Sequence, residues 1–221
     1  MVSTVVITGA NRGVGLALAE HYHKEGWQVV GVCRQTSHEL QQVANKVVDN
    51  IDVTLAADIA TLANALADDT IDLLINNAGL LQDDVLGSVD VDSLRLQMEV
   101  NAFAPLRVTE ALLPLMVQGS KIANITSRMG SIADNDSGGR YGYRASKAAL
   151  NAFGKSLAID LKGQGIAVAQ LHPGYVQTRM VNFGGLISPQ QAAAGIVSRI
   201  EALTLENSGS FWHSNGEELP W

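Results

Sequence analysis

The chain has 221 residues, 22 acidic against 15 basic, and a formal charge of −7 at pH 7, with no basic run. That balance argues against nucleic acid or an anionic membrane surface as a partner. Cys33 is the only cysteine, so an internal disulfide is excluded and no cysteine cluster is available for a structural metal. No apolar run approaches the ~18 residues that span a bilayer, and Val2 to Thr8 already reads as a strand, leaving no room for a signal peptide. A soluble, cytoplasmic protein is the expectation.

Short apolar runs bounded by Gly, Asn or Asp alternate along the chain with longer helical patterns. Strands are expected over residues 4–8, 28–33, 53–57, 71–76, 121–126, 167–172 and 210–212. Helices are expected over 13–25, 37–49, 61–67, 92–117, 141–161 and 189–203, with Gly26, Gly119 and Gly163 where helices close. There is no linker, repeat or low-complexity segment. The pattern implies an α/β fold, a doubly wound, mostly parallel seven-stranded sheet with helices on both faces, in a single domain over 1–221. In such sheets ligands bind outside the carboxyl ends of the strands.

The first strand runs into Thr8-Gly9-Ala10-Asn11-Arg12-Gly13-Val14-Gly15 and straight on into a helix. Gly9 permits the sharp exit from the strand, Gly13 lets backbone approach a pyrophosphate, and Gly15 lets helix and strand pack closely. The spacing points to a nicotinamide dinucleotide. An acid at the end of the second strand would hold a ribose 2′-hydroxyl and repel a 2′-phosphate. Here that place is Cys33-Arg34. Arg34, helped by Arg12, can hydrogen-bond a 2′-phosphate, so NADP(H) is expected in preference to NAD(H).

Tyr143 and Lys147 stand four residues apart in a helical stretch and project from one face. A phenol titrates near pH ~10, and a neighbouring cation favours the phenolate, so Tyr143 is a candidate general acid with Lys147 lowering its pKa. Asn101 precedes Pro105 by four residues in another helical stretch. Proline lacks the N–H that would bond the carbonyl of residue 101, leaving that carbonyl to accept from a water beside Lys147.

With loop and pair in this order, the chain resembles the short-chain dehydrogenase/reductase family from Thr4 to about Trp212, and within it the compact carbonyl-reductase and C-factor-like group. The matching residues are Thr8 to Gly15, Asp58 after the expected third strand, Asn76-Asn77-Ala78-Gly79, Asn101, Ser127, Tyr143 with Lys147, and Pro173-Gly174-Tyr175-Val176-Gln177-Thr178. The narrower likeness rests on Arg144, a short second βαβ unit and the ending Gly216 to Trp221. The resemblance implies a Rossmann fold and a catalytic set of Asn101, Ser127, Tyr143 and Lys147. It further implies that Asp58 and Ile59 touch the adenine, that Asn77 stabilises the central sheet and, with Ala78 and Gly79, borders the cofactor, and that Pro173, Gly174, Val176 and Thr178 line its nicotinamide end, with Thr178 in contact. Ser127 lies 16 residues before Tyr143, further than the family's usual 13, and Ser131 lies 12 before it. Ser127 is preferred because it directly follows the fifth strand.

Tyr141 has Ala145, not a lysine, at i+4, and His172, Cys33 and the tryptophans read as packing residues. Only about ten residues, 179 to 188, separate Thr178 from Pro189, so an open mouth is expected, with Met180, Phe183 and Leu186 as apolar contacts. The expected activity is reduction of an aldehyde, ketone or quinone. An NADPH-binding regulatory or developmental signalling protein of the C-factor type is the alternative. The long helices can either build a homodimer face or be buried within one subunit.

Overall fold

The computed structural model describes residues 2–221. One seven-stranded sheet runs in the order β3-β2-β1-β4-β5-β6-β7, with every neighbouring pair parallel. The strands are β1 (Thr4–Thr8), β2 (Gln28–Val32), β3 (Lys46–Val48), β4 (Ile71–Asn76), β5 (Met116–Ile125), β6 (Ala167–His172) and β7 (Ser210–His213). Between them lie α1 (Gly13–Lys24), α2 (His38–Val43), α3 (Ala56–Ala65), α4 (Val91–Met98), α5 (Ala104–Leu112), α6 (Tyr141–Asp160) and α7 (Pro189–Glu201). Strand order reverses between β1 and β4, so the carboxyl ends of those strands open the crevice where a ligand lies.

Both faces of the sheet are covered, which is why its strands are apolar on successive residues. One core gathers Val5, Ile7, Leu73, Ile75 and Leu171 under α1 and α7; the other gathers Val6, Leu74, Ile122 and Val168 under α3, α5 and α6. Polar side chains inside the sheet pair with one another. Asn76 donates to Asn124 Oδ1 at 3.0 Å and to Thr109 Oγ1 at 3.1 Å, and Asn124 donates to Gln170 Oε1 at 3.2 Å. This ladder ties β4, β5 and β6 together close to their carboxyl ends.

Two expectations are corrected. The third strand is Lys46–Val48, not 53–57, and it begins inside the stretch read as a 37–49 helix. It is a three-residue edge strand that buries little, so its apolar signature is weak, whereas Val53 to Ala57 crosses a turn and enters α3. The expected helix over 92–117 is interrupted by a π-helical segment, Glu99–Phe103, just ahead of Pro105, and β5 begins before its end. Gly119 accordingly lies within β5, and the left-handed residue closing the turn after α6 is Gly165, with φ of 73°, not Gly163.

Candidate active site

Gly9 and Gly13 hold positive φ, 66° and 57°, in the turn between β1 and α1. A Cβ on Gly15 would fall 2.3 Å from the Gly9 carbonyl oxygen and 2.5 Å from Asn77 Nδ2, so only glycine lets α1 start this close to β1. Asn77 donates from Nδ2 to the carbonyls of Thr8 at 2.9 Å and Gly9 at 3.2 Å, while Thr8 Oγ1 accepts from the Asn77 and Ala78 N–H groups. The end of β4 is thereby stitched to the loop. Asn11 Nδ2 donates to the Gln35 carbonyl at 2.8 Å and fixes the other side. No side chain caps α1 and no acid lies in its first turn. Its free N–H groups and partial positive charge, around Gly13, Val14 and Gly15, face the crevice.

Arg12 and Arg34 are both exposed, and neither is ion-paired among the described residues. The carboxylate nearest to influencing the site from this side is Asp52, in the turn after β3. Burial tends to raise its pKa, but hydrogen bonds from the Thr54 N–H and hydroxyl and the charge of Arg34 hold it below the ordinary value. Asp58, by contrast, lies in the first turn of α3, where its carboxylate accepts from the Asp52 N–H at 2.8 Å. Ile59 is buried in the core beneath α3. The misplaced third strand had put these two at a strand end. Residues 49–55 connect β3 to α3, with Asp52 and Val53 in the middle of that segment.

On the far side of the crevice, Thr178 meets the phosphate loop: its Cγ2 is 3.3 Å from where a Gly13 Cβ would stand. Val176 is buried and bridges to Ile187, and Gly174, at φ 91°, packs under Ile187 and His213. Pro173 is held through its carbonyl by Ser214 Oγ at 3.0 Å.

Tyr143 lies in the first turn of α6, whose N-terminus is capped from outside the helix. Asp84, buried in the loop after β4, accepts from the Tyr141 N–H at 2.7 Å and the Gly142 N–H at 3.1 Å. Nothing in the sequence pattern had singled out Asp84, since its partner lies 57 residues away. Gly130 contributes too: a Cβ there would meet the Lys147 carbonyl carbon at 2.7 Å, so the loop after β5 presses directly on α6. Ser127 is buried, accepts from the Met129 N–H at 3.2 Å, and lies near enough to the Tyr143 hydroxyl to lower its pKa. Ser131 faces elsewhere, donating to the Trp221 carbonyl at 3.2 Å and accepting from the Asp134 N–H at 3.0 Å.

Lys147 is 4% exposed, and its Nζ donates to the Ile125 carbonyl at 2.8 Å, 5.9 Å from the centre of the Tyr143 ring. Burial pushes its pKa down to about 7. Burial raises the Tyr143 phenol, and the groups that pull it back down are the Ser127 hydroxyl and the Arg140 guanidinium.

Asn101 falls in the π-helical segment, and its side chain is fully engaged. Oδ1 accepts from the Leu80 N–H at 2.7 Å, while Nδ2 donates to the Leu80 carbonyl at 2.7 Å and to Ser146 Oγ at 3.0 Å. The space a Gly79 Cβ would fill has Asn101 Oδ1 at 3.4 Å and Lys147 Nζ at 3.8 Å, so amide and ammonium converge there. The fold thus brings Asn101, Ser127, Tyr143 and Lys147 to one crevice facing the glycine loop.

The profile of the short chain dehydrogenase family matches residues 3–184. The chain belongs to the short-chain dehydrogenase/reductase family. It is an oxidoreductase of that family. It is 40% identical to 1-hydroxy-2-glutathionyl-2-methyl-3-butene dehydrogenase of Rhodococcus sp. (strain AD45) over 225 residues, 99% of this chain and all of that one. Over 154 residues, 68% of the chain and 93% of the relative, it is 43% identical to C-signal of Myxococcus xanthus. A crystal structure of NADPH-bound carbonyl reductase from chicken fatty liver superposes with a TM-score of 0.89 at 28% identity, covering 100% of this chain and 99% of the other.

Proposed function

We propose that this oxidoreductase prefers NADP(H) over NAD(H) and reduces an aldehyde, ketone or quinone to the alcohol, with Tyr143 as proton donor. The observation that carries the reading is the junction of a glycine cradle without an acid at its 2′ end and a buried Ser127–Tyr143 hydroxyl pair across the same crevice. The cradle suits a dinucleotide: Gly9, Gly13 and Gly15 leave room for pyrophosphate, the uncapped start of α1 offers N–H donors, and Arg12 and Arg34 are free to take a 2′-phosphate. Asp52 and Val53, in the segment leading from β3 to α3, take the place of Asp58 and Ile59 as the residues beside the adenine, and Asn77, Ala78 and Gly79 border the cofactor just after β4. Pro173, Gly174, Val176 and Thr178 close over the nicotinamide end.

Bound there, the dinucleotide supplies the hydride. Tyr143 gives its proton to the carbonyl oxygen as charge builds on it, and Ser127 holds that oxygen in line. Lys147 would hold the nicotinamide ribose, and Asn101, converging on Lys147 beside Gly79, would anchor the route by which the proton is replaced from solvent. In the reverse direction Tyr143 is the base. The Rhodococcus relative, named for an alcohol that carries a glutathionyl group, supports an alcohol–carbonyl pair as the substrate class.

A second reading, an NADPH-binding signalling protein with incidental catalysis, is favoured by the likeness to C-signal. A panel of carbonyl compounds with NADPH and NADH, followed by nicotinamide absorbance, separates the two. Carbonyl-dependent consumption, faster with NADPH, is expected; binding of NADPH without consumption across the panel would favour the signalling reading.

A further inference from the structure

Three arginines stand within three residues of Ser127 or Tyr143 in the sequence, and their guanidiniums are held in different ways. Arg128, next to Ser127, donates from Nε to Asp134 at 2.5 Å and from Nη2 to Glu217 at 2.8 Å, so two carboxylates already neutralise it. Arg144, one residue after Tyr143, donates to the carbonyls of Gly138 and Gly139 and to Ser137 Oγ, turned toward that loop. Arg140 has a single carboxylate, Asp83, at 2.7 Å from its Nε, and that aspartate side chain is 69% exposed. Its Nη1 lies 3.9 Å from the sulfur of Met129, two residues beyond Ser127, and its charge is felt at the Tyr143 hydroxyl.

The backbone fixes Arg140 in this place. It follows Gly138 and Gly139, all three at positive φ, and its N–H donates to the Asp84 carbonyl at 3.0 Å. A non-glycine residue in the left-handed region costs about 1 kcal/mol or more and persists where the surroundings determine it. The N–H groups of α6 that would otherwise receive an anion are taken by Asp84. The chain as a whole is negative, so nothing but a local cation would draw an anion to this mouth.

We propose that Arg140 is a specificity-determining residue that receives a carboxylate of the substrate, which takes the place of Asp83 on the guanidinium. An exposed ion pair of the Asp83 type is worth only about 0–1 kcal/mol, so a bound carboxylate displaces it readily. The proposal rests on the carbonyl–alcohol reading of the same site and names its substrate class: carbonyl compounds, and the matching alcohols, that bear an acidic group near the reacting carbon.

The test uses the NADPH-loaded protein and two alcohols that form dead-end complexes with it, benzyl alcohol and 4-carboxybenzyl alcohol, with affinities measured by calorimetry. The expected result is tighter binding of the carboxylated alcohol, weakening as salt rises. Arg140→Gln should lower the ratio of the two affinities severalfold, the range of a half-exposed charge pair. Arg140→Lys should restore part of the ratio. Asp83→Asn, which leaves the arginine in place, should raise it severalfold. Equal binding of both alcohols by the unmodified protein, or an unchanged ratio in Arg140→Gln and Asp83→Asn, would overturn the proposal. If the carboxylated alcohol binds through Arg140 while neither aldehyde is turned over, the reductase reading fails and the anion site stands.

Discussion

At the phosphate loop, positions 9, 13 and 15 are decided by what the backbone cannot accommodate. Around Tyr143, the same crevice is decided by charges and hydroxyls brought from three separate segments. The first kind of site is local: eight consecutive residues contain it, and a missing Cβ is its working part. The second is assembled by packing: Ser127 from the end of β5, Asp84 from the loop after β4, Arg140 and Tyr143 from the start of α6, Lys147 from its second turn. The contrast teaches that the sterics of the phosphate loop are written within one short segment, which Asn77 braces from β4, whereas the proton-transfer side is built wholly from elements far apart in sequence.

Gly15→Val breaks the local half most severely. Its side chain would enter space held by the Gly9 carbonyl and the Asn77 amide, so NADPH binding in calorimetry is expected to disappear, with stability lowered by about 1–3 kcal/mol. Retained affinity would mean that the loop can move aside.

On the assembled half, Lys147→Met probes the cost of burying an ammonium. The folded-state pKa of Lys147 is depressed to about 7 from 10.5, so between those values the unfolded chain binds the extra proton and stability rises with pH. Relative to Lys147→Met, the unmodified protein should therefore gain on the order of a few kcal/mol from pH 7 toward pH 10, and the difference should be flat below about 7. Urea midpoints at several pH values measure this; a difference independent of pH would contradict the burial argument.

Arg34→Asp sharpens the local half without touching its glycines. The ratio of NADPH to NADH affinity should fall by about 10- to 100-fold, the scale of one charge-assisted contact to a phosphate. Glu217→Gln is the mildest change. Glu217 reaches the active-site loop from the last residues, through an exposed pair with Arg128, while the Trp221 carbonyl accepts from the Ala133 N–H at 3.0 Å. Loss of an exposed pair should lower kcat only severalfold, with cofactor affinity unchanged.

The same contrast explains how much could be read before the fold was known. Strands β1, β4 and β6 are legible to the residue, because a strand buried on both faces is an unbroken apolar run with a turn residue after it. The glycine loop is legible because sterics act between neighbours in sequence. β3 is missed because an edge strand of three residues carries little apolar signal, and Asp58 and Ile59, expected just after a strand, lie in α3 instead. Asn101 is found, but for its backbone; its side chain, clamping Leu80 and Ser146, is what the fold engages. Asp84, Arg140 and Glu217 escape because their partners lie across loops, and the depressed pKa of Lys147 escapes because desolvation is a property of packing.

The account stands most directly on Tyr143→Phe, measured beside the unmodified protein for NADPH affinity and for single-turnover reduction of a carbonyl substrate. Affinity is expected to be the same in both, while the rate falls by about 10²- to 10⁴-fold, the loss of a positioned acid. A phenylalanine variant that reduces the carbonyl at a near-normal rate would contradict the assignment of Tyr143 as proton donor.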